Sequence, residues 1–193
     1  MEELKQRIKG EGKNLGNGIL KIDSLLNHQI DPGLIMRCGE ELARRFRDSR
    51  VTRILTAEVS GIAPAFATAH ILGVPLVYAR KIKPITMYGP VYLETAPSHT
   101  KGNEVQLLVA AEFMPGGDRV LIIDDFLASG KTLRSLVRIV QGSKSELVGI
   151  GCVVEKIFEG GRAALAHYNV PIEALATITS MDNGEISFAD GQV

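Results

Sequence analysis

One segment, residues 119–132, does most to limit the folds open to this chain. It begins with the run Val120-Leu121-Ile122-Ile123, which is apolar at every position. A strand that alternates apolar and polar residues buries one face, whereas a wholly apolar strand is buried on both, as in a parallel sheet covered by helices. Asp124 and Asp125, then small residues, then a helical pattern follow. The segment therefore predicts a strand, a loop and a helix of a parallel α/β sheet.

The rest of the chain repeats this alternation of strand and helix. Strand patterns lie at 53–57, 74–79, 105–110, 119–123, 147–154 and 172–178, and helical patterns lie at 32–48, 61–72, 131–141 and 161–168. A short helix ending near Gly10 or Gly12 and a short strand at 19–23 precede them. Strands separated by helices indicate βαβ units, so we expect a mostly parallel twisted sheet flanked by helices.

Composition supports one globular domain over residues 1–193 and excludes several classes of protein. Apolar residues make up 45%, and 22 basic residues balance 22 acidic ones, so the formal net charge is zero. That balance argues against a nucleic-acid partner, which would require a basic face. The apolar runs are shorter than the ~18 residues of a membrane span, so no membrane association is expected.

The two cysteines indicate the compartment. Cys38 and Cys152 lie far apart, each within an apolar stretch. This favours two buried thiols in a cytoplasmic protein, with a single disulfide as the alternative. The N-terminus is charged and amphipathic, unlike a signal peptide.

Residues 84–102 break the pattern. They contain several prolines and glycines, and only 91–93 look like a strand. A poorly patterned stretch of about twenty residues in a compact domain is usually a functional lid. A passive surface hairpin is the alternative.

The chemistry is concentrated at 124–132. Ligands of open α/β sheets bind at the carboxyl ends of the strands. The N–H groups of 128–132, at a helix N-terminus, can surround a phosphate, and Ser129 and Thr132 add hydroxyls. Asp124 and Asp125 would repel a phosphate but suit vicinal hydroxyls or a metal carried by the ligand. A phosphorylated sugar satisfies both parts, whereas an ordinary acidic corner is the structural alternative.

A P-loop is excluded by spacing. Gly130-Lys131-Thr132 matches its end, but Asp125 stands where its first glycine belongs. Residues 120–132 instead resemble the phosphoribosyl pyrophosphate (PRPP) signature of the type I phosphoribosyltransferases. The resemblance implies that family's fold, with a small hood formed by about 1–35 and the C-terminal segment. It also implies Asp124 and Asp125 as catalytic residues on the ribose hydroxyls, and a PRPP cradle formed by Ala128, Ser129, Gly130, Lys131 and Thr132.

Two further segments resemble the family's pyrophosphate site. Glu58-Val59-Ser60-Gly61 resembles its pyrophosphate loop, and 78–83 resembles the basic segment of its purine members. The pyrophosphate-binding residues implied are Val59, Ser60, Arg80, Lys81 and Lys83. Pyrophosphate leaves with several negative charges, so positioned cations and Mg²⁺ suit it. The resemblance implies that Mg²⁺ is carried by PRPP, with no direct protein ligand.

The acceptor base is indicated by Lys156, which follows the predicted strand at 147–154. An ammonium only donates hydrogen bonds, so it suits a 6-oxo group and not the 6-amino group of adenine. Residues 19–32 resemble the N-terminal segment of the xanthine-using members, which implies that Leu20 and Asn27 line the base pocket with Lys156. Ala128 stands where hypoxanthine–guanine members carry an aspartate, so a backbone carbonyl, Glu155 or water remain candidates for the general base.

The activity implied is transfer of phosphoribose from PRPP to xanthine, giving xanthosine 5′-monophosphate and pyrophosphate in purine salvage, by a homodimer. The alternatives are a hypoxanthine/guanine or adenine enzyme, or a PRPP-sensing regulator of the same fold. Such regulators usually add a DNA-binding domain, and only about fifty residues precede the first core strand here.

Overall fold

The computed structural model of the chain describes residues 1–97 and 104–189. Its helices and strands follow the alternation expected from the sequence. In chain order they are α1 (Glu2–Glu11), β1 (Lys13–Asn14), β2 (Leu20–Lys21), α2 (Pro32–Phe46), β3 (Arg53–Ala57), α3 (Ile62–Leu72), β4 (Leu76–Ala79), β5 (Val91–Pro97), β6 (Glu104–Ala110), β7 (Arg119–Leu127), α4 (Lys131–Gly142), β8 (Glu146–Lys156), α5 (Gly161–Leu165), β9 (Ile172–Ser180) and β10 (Ser187–Phe188).

The central sheet has six strands in the order β10-β9-β8-β7-β3-β4. All neighbours are parallel except β10, which pairs antiparallel with β9 at one edge. Side chains of β7 alternate between two cores, with Leu121 and Ile123 in one and Val120 and Ile122 in the other. All four are fully buried, which confirms the prediction of a strand covered on both faces.

The two strands that carry Asp124, Asp125 and Lys156 run further than the sequence predicted. We expected β7 to end at Ile123 and β8 at Val154, but they end at Leu127 and Lys156. Their parallel pairing continues through Asp124 and Phe126, so the polar residues lie within the ends of the strands. Backbone hydrogen bonding between β7 and β8 extends several residues beyond the end of the apolar pattern, and the prediction rested on that pattern.

The prediction of 105–110 as a strand of the parallel sheet was wrong. Strand β6 pairs antiparallel with β5 in a separate two-stranded ribbon, from Val91 opposite Ala110 to Pro97 opposite Glu104. Leu107 and Val109 are buried, and this burial produced the apolar pattern. An apolar pattern can predict that a segment is a buried strand, but it does not predict which strand pairs with it. Of the lid predicted at 84–102, residues 98–102 lie outside the described residues.

The N-terminal region covers one side of the sheet. Leu4 and Ile8 of α1 are buried, and α2 begins as predicted, with Asp31 accepting a hydrogen bond from the Leu34 N–H at 3.0 Å. The strand expected at 19–23 is limited to β2, because a π-helical turn over Asp23–Asn27 follows it. Within 1–97 and 104–189, no helix is long and apolar enough to cross a membrane.

The cysteines are two buried free thiols, as expected, so the alternative of a disulfide is set aside. Burial raises the pKa of Cys38 to about 12 and also raises the pKa of Cys152. Both side chains therefore stay protonated and serve as packing groups.

Candidate active site

A cavity of about 310 Å³ opens at the carboxyl ends of β3 and β7. Its walls come from the end of β7 and the start of α4, from the loop after β3, from Lys81 and from β6. The residues that line it are Ala57, Glu58, Val59, Ser60, Gly61, Lys81, Val105, Leu107, Asp124, Asp125, Phe126, Ala128, Ser129, Gly130, Lys131, Thr132 and Leu133. It therefore gathers the predicted catalytic and PRPP residues with part of the predicted pyrophosphate set.

The loop between β7 and α4 presents backbone donors to this cavity. Gly130 has φ +74°, a left-handed conformation that glycine adopts without steric cost, and α4 starts at the next residue. The first N–H groups of a helix have no partner within the helix, and Gly130, the residue before this one, has no side chain with which to cap them. Together with the positive end of the helix dipole, these groups form a site for an anion.

Asp124 and Asp125 form a tight pair beside that loop. The Asp125 N–H donates to Asp124 Oδ1 at 3.1 Å, and the Phe126 N–H donates to Asp125 Oδ1 at 3.0 Å. Asp124 is only 6% exposed, and burial together with the neighbouring Asp125 carboxylate raises its pKa well above the usual range. Two carboxylates this close to each other suit a ligand that brings hydroxyl groups or positive charge.

The loop after β3 forms the opposite wall, next to the carboxylates. The peptide bond between Glu58 and Val59 is cis. A Cβ atom on Gly61 would lie 2.5 Å from Asp124 Oδ1 and 2.3 Å from Thr56 Oγ1, so only glycine fits. Val59 is exposed and Ser60 half-buried, and both line the cavity.

The predicted basic residues are divided between two faces. Glu58 organises the segment, since its carboxylate accepts from the Lys81 N–H at 2.8 Å and pairs with Arg80 at 3.4 Å. Arg80 is in extended backbone and bridges to Leu108, so successive side chains point in opposite directions. Lys81 lines the first cavity, Arg80 lines a second one, and Lys83 is exposed and lines neither.

Of the predicted base-binding residues Leu20, Asn27 and Lys156, only Asn27 contacts a carboxylate of the pair, and none of the three lines the cavity. Asn27 Nδ2 donates to Asp125 Oδ2 at 2.9 Å, which ties the N-terminal region to the catalytic pair. Lys156 Nζ donates to the Gly18 carbonyl at 2.9 Å and lies 5.8 Å from the ring centroid of Phe126, a residue that also lines the cavity. Leu20 is half-buried against the core of this side.

Sequence reasoning missed several residues around Lys156. Glu159 pairs with the Lys156 ammonium, and the Phe158 ring lies 3.3 Å from where a Cβ on Gly18 would stand. Phe158 remains 46% exposed, although large aromatic side chains are usually buried. Its place two residues beyond Lys156 was the signal that could have identified it.

Glu155, one candidate for the general base, is engaged elsewhere. It is 1% exposed, and both of its carboxylate oxygens accept hydrogen bonds from Arg162. It does not line the cavity. This leaves a backbone carbonyl or water as the candidates.

Most of the chain matches a known family of protein domains. The model of the phosphoribosyl transferase domain matches residues 23–188. The chain belongs to the phosphoribosyltransferase family. It is a transferase, and the family resemblance predicted from residues 120–132 is confirmed.

The similar relatives of this phosphoribosyltransferase share one name. The chain is 52% identical over 184 residues to a xanthine phosphoribosyltransferase of Deinococcus deserti, with 95% of each chain covered. It is 49% identical to a xanthine phosphoribosyltransferase of Heliobacterium modesticaldum, with 98% of this chain and 100% of the relative covered. These identities extend over both the sheet and the N-terminal region.

Solved structures with a similar fold carry a different name. An adenine phosphoribosyltransferase of Thermoanaerobacter pseudethanolicus matches with a TM-score of 0.74 and 23% identity, over 91% of this chain and 98% of that one. Another, from Saccharomyces cerevisiae, matches with a TM-score of 0.72 and 23% identity, over 91% and 99%. At that identity the likeness confirms the predicted type I fold and carries no information on the base.

Proposed function

We propose that this protein transfers the 5-phosphoribosyl group of PRPP to xanthine, giving xanthosine 5′-monophosphate and pyrophosphate in purine salvage. The observation that carries the proposal is one cavity that joins a helix N-terminus, the carboxylates of buried Asp124 and half-buried Asp125, and Lys81. Those features match the phosphate, the ribose hydroxyls and the pyrophosphate of PRPP in order. The names of the relatives support xanthine as the acceptor.

The donor is held from both ends in this proposal. The N–H groups of 128–132 bind the 5′-phosphate, while Val59, Ser60 and Lys81 face the pyrophosphate. The bond between C1′ and the pyrophosphate oxygen breaks as a nitrogen of the base forms the new bond. Positive charge develops on the ribose during this exchange, and Asp124 and Asp125 stabilise it by several kcal/mol in a site shielded from water.

Mg²⁺ fits this site as part of the PRPP complex. Among the described residues, no group of three or more His, Cys, Asp or Glu side chains is placed to hold a metal ion by itself. Mg²⁺ commonly binds through substrate phosphates, so PRPP would carry it into the site without a direct protein ligand, and the nearby Asp124 and Asp125 carboxylates would favour its charge. Mg²⁺ would supply charge neutralisation for the leaving pyrophosphate.

Exclusion of water is assigned to the lid over 84–102. PRPP would hydrolyse if water reached the reacting carbon, so a segment that closes over the cavity is needed. Strand β6, which follows the lid in the chain, already contributes Val105 and Leu107 to the wall. We place the hood, formed by about 1–35 and the C-terminal segment, over the base.

Base recognition falls to Lys156 and Asn27. Two of the ammonium hydrogens of Lys156 face the Gly18 carbonyl and Glu159, which leaves the third for the 6-oxo group. The Asn27 side-chain amide donates one hydrogen bond to Asp125, and its second N–H can donate to the 2-oxo group of xanthine. Phe126 and Phe158 supply apolar surface for the rings, and Leu20 supports this side.

Initial rates with four bases and PRPP test the proposal. We expect xanthine to be preferred, with release of pyrophosphate in the absence of DNA. A preference for adenine would overturn the role of Lys156, and a preference for guanine or hypoxanthine would overturn the role of Asn27. Binding of PRPP without pyrophosphate release would favour the regulator.

In this proposal the protein is located in the cytoplasm, where buried free thiols persist.

The functional unit in this proposal is a homodimer. A second cavity, of about 460 Å³, is lined by Arg80 and by the exposed Tyr78 and Phe113. Three more exposed apolar side chains, Ile82, Ile85 and Tyr88, lie in the segment that follows Arg80. A second copy covering this face would bring Arg80 to the subunit boundary. Sedimentation of the protein as a monomer at all concentrations would contradict the assembly.

A further inference from the structure

The turn at 160–162, which contains the first two residues of α5, packs directly against the loop at 128–130. A Cβ on Gly161 would lie 2.2 Å from the Ala128 carbonyl oxygen and 2.9 Å from the Gly130 nitrogen. A Cβ on Gly130 would in turn lie 3.1 Å from the Gly161 carbonyl oxygen. The two backbones therefore touch with no side chain between them, and a shift of the turn would be transmitted to the loop.

Arg162 and Glu155 fix this turn to the sheet. Arg162 Nε donates to Glu155 Oε1 at 2.8 Å, and Nη2 donates to Oε2 at 2.5 Å. Arg162 Nη1 donates to the Ile172 carbonyl of β9 at 2.7 Å, so all three guanidinium nitrogens are used. The planar fork of an arginine allows this paired contact, which a lysine cannot make.

Glu155 is placed to set the position of the loop. In the parallel pairing of β7 and β8 it stands opposite Leu127, the last residue of β7 before the loop. It is 1% exposed, so its charge depends on Arg162 for compensation. Neither Glu155 nor Arg162 lines the cavity, so neither touches the proposed substrate.

We infer that Glu155 and Arg162 are positioning residues for the 5′-phosphate of PRPP, because they hold the 160–162 turn against the back of the 128–130 loop and so aim its N–H groups. The inference rests on the proposed function, which makes this loop the phosphate cradle. It also gives Glu155 a role other than general base. The atoms nearest to a Cβ on Gly61, in the pyrophosphate loop, belong to Thr56, Asp124 and Ala57 and not to the turn, so we expect the effect at one end of PRPP.

Calorimetric titration with two separate ligands, ribose 5-phosphate and pyrophosphate, tests the inference on the intact protein and on Arg162→Lys. Lysine keeps the charge but loses the fork. We expect the affinity for ribose 5-phosphate to fall about tenfold or more, since small misplacements of binding groups have effects of that size. The affinity for pyrophosphate should stay within about twofold, since independent sites respond independently.

Arg44→Lys is the matched control. Arg44 makes a similar bidentate contact with Glu41, from Nε to Oε2 at 2.8 Å and from Nη2 to Oε1 at 2.9 Å, but on the exposed surface of α2. It should leave both affinities unchanged. If Arg162→Lys does not fold, Glu155→Gln replaces it, because glutamine keeps one acceptor oxygen for the guanidinium.

The outcomes distinguish an error in the proposed phosphate site from an error in the positioning role of Glu155 and Arg162. If the parent protein fails to bind ribose 5-phosphate, the proposed cradle itself is wrong. If the parent binds but Arg162→Lys binds equally well, or loses both ligands equally, the positioning role is overturned. Glu155→Gln should keep the shape of the pH profile of kcat, and loss of one limb of that profile would make Glu155 the general base instead.

Discussion

The two halves of the proposed active site are built in different ways. The donor half, for PRPP, is formed by 57–61, Lys81 and 124–132, and relies on backbone groups at strand ends and a helix N-terminus. The acceptor half, for the base, is formed by Gly18, Asn27, Phe126, Lys156, Phe158 and Glu159, and relies on side-chain contacts between distant segments.

This difference in construction predicts which half of the site determines the preferred base. Backbone donors and a helix N-terminus bind a phosphate whatever the neighbouring side chains are. The acceptor half depends on a few side chains with particular donors, and changing one alters the preferred base.

The largest effect should come from the donor half. Asp125→Asn removes a carboxylate beside the ribose, and we expect turnover to fall by about 10²–10³ with xanthine, guanine and hypoxanthine alike. Initial rates on folded protein measure it, with the exposed Asp182→Asn as control. A loss confined to one base would place Asp125 in the acceptor half.

In the acceptor half, Lys156→Met should change preference more than turnover. Loss of the charged donor to the 6-oxo group should lower the ratio of kcat/KM for xanthine over adenine by about 10–100-fold, the usual range for a charged hydrogen bond. Affinity for ribose 5-phosphate should not change. Lys21→Met, at an exposed lysine of β2, is the control. An unchanged ratio would remove Lys156 from the pocket.

Asn27→Leu tests the contact between the halves. The variant loses the proposed hydrogen bond to the 2-oxo group, so the preference for xanthine over hypoxanthine should fall about tenfold. It also removes the hydrogen bond to Asp125, so a smaller loss of turnover should appear with every base. Full turnover with hypoxanthine would show that the two halves act independently.

The smallest effect concerns stability. Burial and Asp125 raise the pKa of Asp124 in the folded protein, so its ionised form opposes folding above its ordinary pKa. Asp124→Asn removes that cost, and Tm at neutral pH should rise by about 2–4 °C while activity is lost. Thermal unfolding between pH 4 and 8 measures the difference, which should shrink as pH falls. A lower Tm at neutral pH would contradict the assigned environment.

Much of the donor half could be predicted because its information is local. The wholly apolar run at 120–123, the two carboxylates and the small residues are contiguous, so a single segment specifies strand, loop and helix. The capped start of α2 at Asp31 was equally local. Short-range patterns of this kind do not depend on what packs against them.

The remaining features depended on long-range contacts. Leu107 and Val109 indicated a buried strand, but only tertiary packing decided that β6 pairs with β5 and not with the central sheet. Arg80 and Lys81 resembled one basic cluster, yet the extended backbone sends them to different cavities. The Glu155–Arg162 pair spans two elements, and its geometry is visible only in the folded chain.

A crystal structure with xanthosine 5′-monophosphate bound tests the central claim most directly. We predict the phosphate against the N–H groups of 128–132, the ribose hydroxyls beside Asp124 and Asp125, and the base near Phe126 with its 6-oxo group toward Lys156. A nucleotide lodged away from the 124–132 segment, or reversed so that its base faces Lys81, would contradict the account.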